Sequence, residues 1–375
     1  MSVMLKEHQQ MLHQMVVEFS RKEIKPLDML IDKQKGYPKA LWDKIVETGF
    51  LGLIVPKSFG GADFDPIAEA QTIFDIASNN ASVAFTLEGH YKTVDQLKKY
   101  GKETLKNKYL PQANKRIFGF GSTEPQGGSN VMGHTASAVK EGDYWILNGN
   151  KTMITNGGLA EVYLVLLKTS ENELTCFLVD KDMPGFKYGK QEDFFGMRGT
   201  PVGEIFLENV KVTEDYMVGK IGDGIRIGDN AHYDARINMG AIAAGICQHA
   251  LDIVLDYATE RKALNKPIID LFSIQNKITE IAIAKENTQL LYEEAAKLKS
   301  HGKPYDKVST MAKSYGSRAA FSACDHALQV LGGYGYSNEY PVEHLLRDAR
   351  ALQIAEGSLE KMVIEISKSV QSERV

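Results

Sequence analysis

The sequence predicts an α+β protein of several domains: an N-terminal α-helical domain over 1–115, a small middle β-barrel or sheet domain over 116–225, and a C-terminal four-helix bundle over 226–375. Three observations predict it. A chain of 375 residues is too long for one ordinary core. The apolar period changes twice, from helical to alternating near Ile117 and back near Ile225. Helix, then sheet, then helix implies separate units and not alternating βαβ, and no GxGxxG follows a strand, which disfavours a Rossmann fold.

In the first unit Met11, Met15, Val16 and Phe19 recur at helical spacing, and Leu41, Ile45, Val46 and Phe50 repeat the pattern. The loop VPKSFGGADFD is punctuated by Pro56, Gly60 and Gly61. The segment FTLEGHYKTVDQLKKYG reads as a helix most of whose polar residues face water. In the middle unit IFGFGSTEP, ASAVK, YWILNGNKTMITN, VYLVLLKT, LTCFLVDK and EIFLENVKV are short β-rich runs, with Asn148-Gly149 as a hairpin signal. In the third, 236–260, 270–299 and 305–331 each suit a long helix, with shorter ones over 341–354 and 358–370.

Composition narrows the class. Hydrophobic and charged fractions of 43% and 25% are those of a soluble globular protein. A net charge of −4 with no basic stripe gives no nucleic-acid footprint. No run of about eighteen apolar residues suggests a membrane span, and the charged start lacks a signal peptide's apolar core. Cys176, Cys247 and Cys324 have no paired spacing, which argues against a disulfide framework or a metal cluster. A reducing cytoplasm is the expected location.

The candidate chemistry lies in QVLGGYGYSNEYPVEHLLRDARALQIAEGSLEK, residues 329–361. Gly332, Gly333 and Gly335 end one helix, Pro341 opens the next, and Ala355-Glu356-Gly357-Ser358 interrupts the pattern. A carboxylate on such a break can project into a pocket as a base. Equally, Glu356 reads as a first-turn acid favoured by the helix dipole, or as an exposed side chain. STEPQGGSN at 122–130 is a turn rich in hydroxyl and backbone N–H groups, suited to an oxygen-rich ligand or to a plain hairpin connection. Arg236 on its own reads as a solvated charge at a helix start.

The block GGYGY…YPVEHLLRDAR…AEGS resembles the C-terminal region of flavin-dependent acyl-CoA dehydrogenases, whose catalytic glutamate lies in a segment usually reading YEGT. The resemblance runs from the first helix to the last. STEPQGGSN is similar to the family's TEPxAGSD, which implies Thr123 against FAD and Ser129 near both FAD and the substrate thioester. LNGNKTMITNGG resembles the second flavin segment, implying Thr155 at the isoalloxazine edge, with Met153 where most relatives are aromatic. Arg236 matches the arginine that opens the family's long helix near base and substrate. Arg261 matches one that reaches the FAD pyrophosphate across a subunit interface, although Leu264 and Asn265 break the usual RxxFG. Gln275, Gln329 and Gly333 match contacts to FAD from the neighbouring chain, and Ser358 keeps a hydroxyl where threonine is usual. Glu88 falls where some members have a pocket-floor glutamate, and Gly357 joins the substrate-binding set. His90, Tyr91 and Lys92 give a slight preference for a polar acyl group.

The implied reaction is α,β-dehydrogenation of an acyl thioester. Glu356 takes the α-proton, its pKa raised by burial beside the acyl chain, and a hydride passes to flavin N5. Electrons leave to an electron-transferring flavoprotein or similar acceptor. Asn130, Tyr233, Ala355 and Glu360 depart from the family pattern on the substrate side, and Ala355 opens space for a bulkier or branched acyl group. Those changes leave room for a second reading, a thioester on an acyl- or peptidyl-carrier protein in place of acyl-CoA. Flavin oxygenase or oxidase chemistry, and a non-catalytic assembly protein, are further alternatives. FAD residues shared between chains imply a homodimer or homotetramer.

Overall fold

The computed structural model describes residues 5–128 and 130–373, so Ser129 lies outside the described residues. Six helices lead: α1 (Glu7–Phe19), α2 (Asp28–Gln34), α3 (Lys39–Glu47), α4 (Pro66–Ala77), α5 (Ala81–Tyr100) and α6 (Glu103–Tyr109). Local chemistry starts the two central ones. The Asp65 carboxylate accepts from Ala68 N–H (3.0 Å) with Pro66 in the first turn of α4, and the Asn80 side chain accepts from Val83 N–H (2.9 Å) at α5. The expectation that most polar residues of α5 face water does not hold. Every residue from Ala81 to Leu97 is buried, because α5 packs against α4, the sheet and the long helix that follows it.

Strands β1 (Phe118–Gly121), β2 (Ser137–Glu141), β3 (Tyr144–Thr155), β4 (Val162–Ser170), β5 (Glu173–Asp180), β6 (Phe186–Gln191), β7 (Val202–Thr213) and β8 (Met217–Val218) form one sheet. Its order is β6-β7-β3-β2-β4-β5-β8, with β1 added parallel to β4. Asn148-Gly149 is not the hairpin turn the dipeptide suggests. It lies inside β3 at a register shift against β7, and Gly149 (φ 139°) comes so close to Ala136 that a Cβ would sit 2.3 Å from the alanine Cβ. The turn between β2 and β3 falls instead at Gly142, with φ of 59°.

The C-terminal helices are α7 (Gly224–Glu260), α8 (Phe272–Ser300), α9 (Asp306–Leu331), α10 (Val342–Leu352) and α11 (Leu359–Ser372). Helices α7, α8 and α9 pack on one another, with α10 against α9 and α7. A window of α7 is apolar enough to cross a membrane, but 78% of it is buried within the protein, as suits a core helix. This helix begins at Gly224, twelve residues before the expected start, so Arg236 sits in its interior and not at its opening turn. A short hairpin, β9 (Lys262–Ala263) and β10 (Lys266–Pro267), joins α7 to α8. Helix α9 ends as the glycine cluster predicts, on Gly332 at φ 60°.

Candidate active site

Between α10 and α11 the chain makes a left-handed break, with Glu356 at φ 56° and Gly357 at φ 98°. A non-glycine residue in this region pays a conformational cost, and two contacts hold it there. The Lys313 ammonium from α9 donates to the Gly357 carbonyl, and Arg236 Nε donates to the Glu356 carbonyl at 3.4 Å. Arg236 is itself fixed by a two-point pair to Glu365 of α11 (2.5 and 3.3 Å) and by donation to Thr310 (2.9 Å). The guanidinium is buried, so its solvated reading is excluded. Burial and the neighbouring Arg236 push the Lys313 ammonium down to about 8.

The break turns the Glu356 carboxylate inward, where 8% of the side chain remains exposed. Lys92 of α5 donates to Oε1, and His232 Nδ1 of α7 lies 2.9 Å from Oε2. Glu88, one helical turn before Lys92, is fully buried with Oε1 3.7 Å from the Lys92 ammonium. Among the described residues neither Glu88 oxygen has a hydrogen-bond partner. Burial therefore pushes Glu88 up to about 8, against the pull of Lys92 and with the help of Glu356's negative charge. Glu356 behaves oppositely to the expectation. Burial again opposes its ionised form, but Lys92 and His232 outweigh burial and hold it well below the usual carboxylate range. The expected upward shift thus falls on Glu88, while Lys92 and His232 favour the ionised form of Glu356.

His90 and Tyr91, read as signs of a polar pocket, are spent on structure. The His90 ring lies 3.0 Å from both the Leu51 carbonyl and the Phe118 N–H, and Tyr91 donates to the Phe50 carbonyl at 2.6 Å. Of that run Lys92 contacts Glu356, and Glu88 approaches Lys92. Farther along α5 and α7 the polar character continues: Lys299 pairs with Asp95 and Asp234 (2.9 Å each), and Asn238 donates to Glu69 at 2.7 Å.

On the sheet side Thr123 and Thr155 are half-buried, and Met153 is 51% exposed on left-handed backbone (φ 54°). Glu124, between the expected ligands, is structural. Its carboxylate accepts from Lys151 (2.6 Å), Thr135 N–H (2.7 Å) and Ala136 N–H (3.2 Å), which pins the STEP turn to β2 and β3. Gly89 of α5 faces Thr155 so closely that a Cβ would lie 2.9 Å from its methyl. That approach joins the Glu88–Lys92 face to the Met153–Thr155 segment.

Arg261, Gln275, Gln329 and Gly333 are all exposed on the opposite helical unit. Arg261 and Gly333 line one cavity of about 650 Å³ with Tyr257, Ile268 and Tyr334, and no residue of the sheet contributes to it. The residues expected to hold FAD thus fall on two separate surfaces of one chain. Hydroxyls and a thioether suit the flavin end, while a guanidinium beside a glycine open on its Cβ side suits a pyrophosphate. This donor set fits FAD. Ser358 accepts from Lys361 N–H (3.4 Å) as the cap of α11. Tyr233 lies over Arg236 (5.2 Å) and lines a cavity of about 410 Å³ with Asp306, Lys307 and Glu365.

Sequence reasoning missed His232, Lys313 and Glu365. His232 was within reach: it lies four residues before Arg236, on the same helical face once α7 is extended back to Gly224.

Comparison with known proteins gives the family. The chain matches the acyl-CoA dehydrogenase N-terminal domain over residues 6–116, the middle domain over 119–210 and the C-terminal domain over 222–371. It is 35% identical to an acyl-CoA dehydrogenase of Bacillus subtilis over 96% of this chain and 97% of the relative. The butyryl-CoA dehydrogenase structure from Megasphaera elsdenii superposes with a TM-score of 0.96 at 31% identity, covering 99% and 100% of the two chains. The prolyl acyl carrier protein oxidase AnaB superposes with a TM-score of 0.92 at 28% identity, covering 98% and 100%.

Proposed function

The chain belongs to the acyl-CoA dehydrogenase family, an FAD-dependent oxidoreductase acting on acyl thioesters, and on that premise we propose that Glu356 is the base that removes the α-proton of its substrate. The observation that carries this reading is the inward carboxylate on the left-handed break, held by Lys92, His232 and Arg236. An ionised carboxylate is in the correct protonation state to accept a proton. The α-proton of a thioester is too weakly acidic for a carboxylate in water, so the carbonyl oxygen must be stabilised as charge develops on it. The Glu356 backbone N–H is the chain's donor for that oxygen. Bound FAD supplies the two-electron acceptor for the β-hydride. Thr123, Ser129, Met153, Thr155 and Ser358 are proposed to hold its flavin end. Arg261, Gln275, Gln329 and Gly333 are proposed to reach the FAD of a neighbouring copy, which makes the working unit a homodimer or homotetramer.

The acyl group is proposed to be short, because the carboxyl of Glu88 and the ammonium of Lys92 put polar groups in the space that a long alkyl chain would need. A CoA thioester is the first reading of the carrier, in keeping with the relatives. A carrier-protein thioester is the second. Tyr233, stacked over Arg236 at the mouth of the 410 Å³ cavity, stands where the family's usual aspartate is absent, and AnaB has the same fold. An electron-transferring flavoprotein or similar carrier is proposed to reoxidise the enzyme, in the cytoplasm.

The test is anaerobic titration of the holoenzyme with a panel of acyl-CoAs. Bleaching of the flavin band supports a CoA thioester; bleaching only by carrier-bound acyl groups supports the second reading. Glu356→Gln is expected to keep bound FAD and to slow bleaching by roughly 10²–10⁴-fold. Undiminished bleaching in that variant removes the assignment of the base.

A further inference from the structure

We infer that Lys92 is a positioning residue that exchanges ion-pair partners during turnover, leaving Glu356 for Glu88 when an acyl group enters and so releasing the base. The inference rests on the assignment of Glu356 as base. Lys92 stands between two carboxylates on one wall of the site: it donates to Glu356 Oε1, and Glu88 Oε1 waits 3.7 Å from its ammonium. Both Glu88 oxygens are without a hydrogen bond among the described residues, in a fully buried side chain. A buried carboxyl with no bond is costly, and an isolated structural acid would be expected to have found a partner. Here the partner is within one side-chain adjustment.

The exchange also answers a chemical difficulty. With Lys92 on Oε1 and His232 on Oε2, each Glu356 oxygen is engaged, and the carboxylate is a weak base. Proton abstraction needs one oxygen free and its basicity restored. Once Glu88 has given its proton to solvent, moving the cation from Glu356 to Glu88 does both. Glu88 can receive Lys92 only when ionised, and burial keeps it protonated up to about pH 8. Below that pH Lys92 stays with Glu356; above it Glu88 competes for the cation. Other charged groups face the pair. Glu69 of α4 adds negative potential at Glu88, and His232 and Arg236 of α7 and Lys313 of α9 surround Glu356.

The experiment compares wild type, Glu88→Gln, Lys92→Met and the double variant as FAD-loaded enzymes, with two readouts. The first needs no turnover. Infrared difference spectra from pH 6 to 10 should show a protonated-carboxyl band that titrates near pH 8 in wild type. The band should be missing in Glu88→Gln and shifted to higher pH in Lys92→Met. The second is the flavin-bleaching rate with butyryl-CoA against pH. Wild type should rise through a limb near pH 8, and Glu88→Gln should lose that limb and be at least tenfold slower at pH 9. The double variant should recover to the rate of Lys92→Met, because the cation that traps the base has gone. A double variant as slow as Glu88→Gln, or an infrared band unchanged by Glu88→Gln, overturns the exchange. Wild-type flavin that butyryl-CoA never bleaches counts against the choice of thioester, and the infrared arm then decides alone.

Discussion

At the scale of single residues, the site depends on backbone conformations that side chains cannot change. Gly357 sits at φ 98°, and a Cβ there would lie 2.7 Å from Met362 Cε and 3.4 Å from Arg236 Nη2. The methionine end can give way, but the left-handed backbone cannot be relieved without moving Glu356. Gly357→Ala is therefore expected to cost about 1–3 kcal/mol, read as a lower Tm of the holoenzyme, and to slow flavin bleaching while FAD stays bound. An unchanged Tm would show that the break tolerates a side chain and is not what aims the base. The position of Glu356 was legible because a glycine-softened interruption between two apolar periods is a local signal. The direction of its ionisation was not legible. It is set by Lys92, 264 positions earlier, and by His232, 124 positions earlier. Only the i,i+4 spacing of Glu88 and Lys92 was present in the sequence, and it says nothing about a third carboxylate arriving from the other end of the chain.

At the scale of elements, α5 carries Glu88 and Lys92 and packs closely against Thr155 and Asn156 through Gly89 and Thr86. At Gly89 an added Cβ would lie 2.9 Å from the Thr155 methyl and 3.1 Å from Asn156 Nδ2, while that same amide donates to the Thr86 carbonyl at 2.9 Å. Gly89→Val should force helix and strand apart, with a loss of about 1–3 kcal/mol from overpacking. Because Thr155 is displaced, FAD should also be released at lower denaturant concentration than from wild type. A variant that loses stability but holds FAD as tightly as wild type would separate the packing contact from the cofactor surface. Periodicity carried most elements into the sequence reading, since helices and strands bury different spacings of apolar residues. It failed where a local signal was overruled by the sheet or by the core. Asn148-Gly149 has turn chemistry, yet β3 runs through it as a bulge because Ala136 needs the room that a glycine leaves. Helix α7 starts at Gly224 although its first turns are polar, because Asp234 and His232 are satisfied inside the protein by Lys299 and Glu356. The polar run of α5 was assigned to solvent for the same reason: polarity alone cannot reveal a buried network.

At the scale of the whole molecule, the three segments are fastened by a buried ionic chain centred on His344 of α10. His344 of α10 bonds Asp28 of α2 through Nε2 at 2.9 Å and Asp348 through Nδ1 at 3.4 Å. Asp348 accepts from Met197 N–H at 2.5 Å in the loop between β6 and β7, and Asn80 donates to Asp28 at 2.8 Å. The loop is pressed against α10 here, for a Cβ on Gly196 would lie 2.2 Å from the Arg347 carbonyl. Helical N-terminus, sheet and C-terminal bundle therefore meet at one imidazole. Burial opposes a charged His344, but the Asp28 carboxylate raises it well above its usual value. Burial likewise opposes an ionised Asp28, and His344 outweighs it and lowers that carboxyl. The signs define a window. The share from His344 is complete below its unfolded pKa of about 6.5 and is lost as pH rises through the raised folded value. The share from Asp28 is complete above its model value of 3.8 and is lost as pH falls through the lowered one. Stability from this contact should be greatest between those limits and decline on the alkaline side. His344→Gln strands Asp28 as a buried charge without its cation, an expected loss of about 3–5 kcal/mol near pH 6. The difference in urea midpoint between wild type and variant should narrow as pH rises toward 9. A difference that stays constant with pH would mean that His344 holds the segments together as a neutral hydrogen-bonded ring, and the ionic account of their assembly would be wrong.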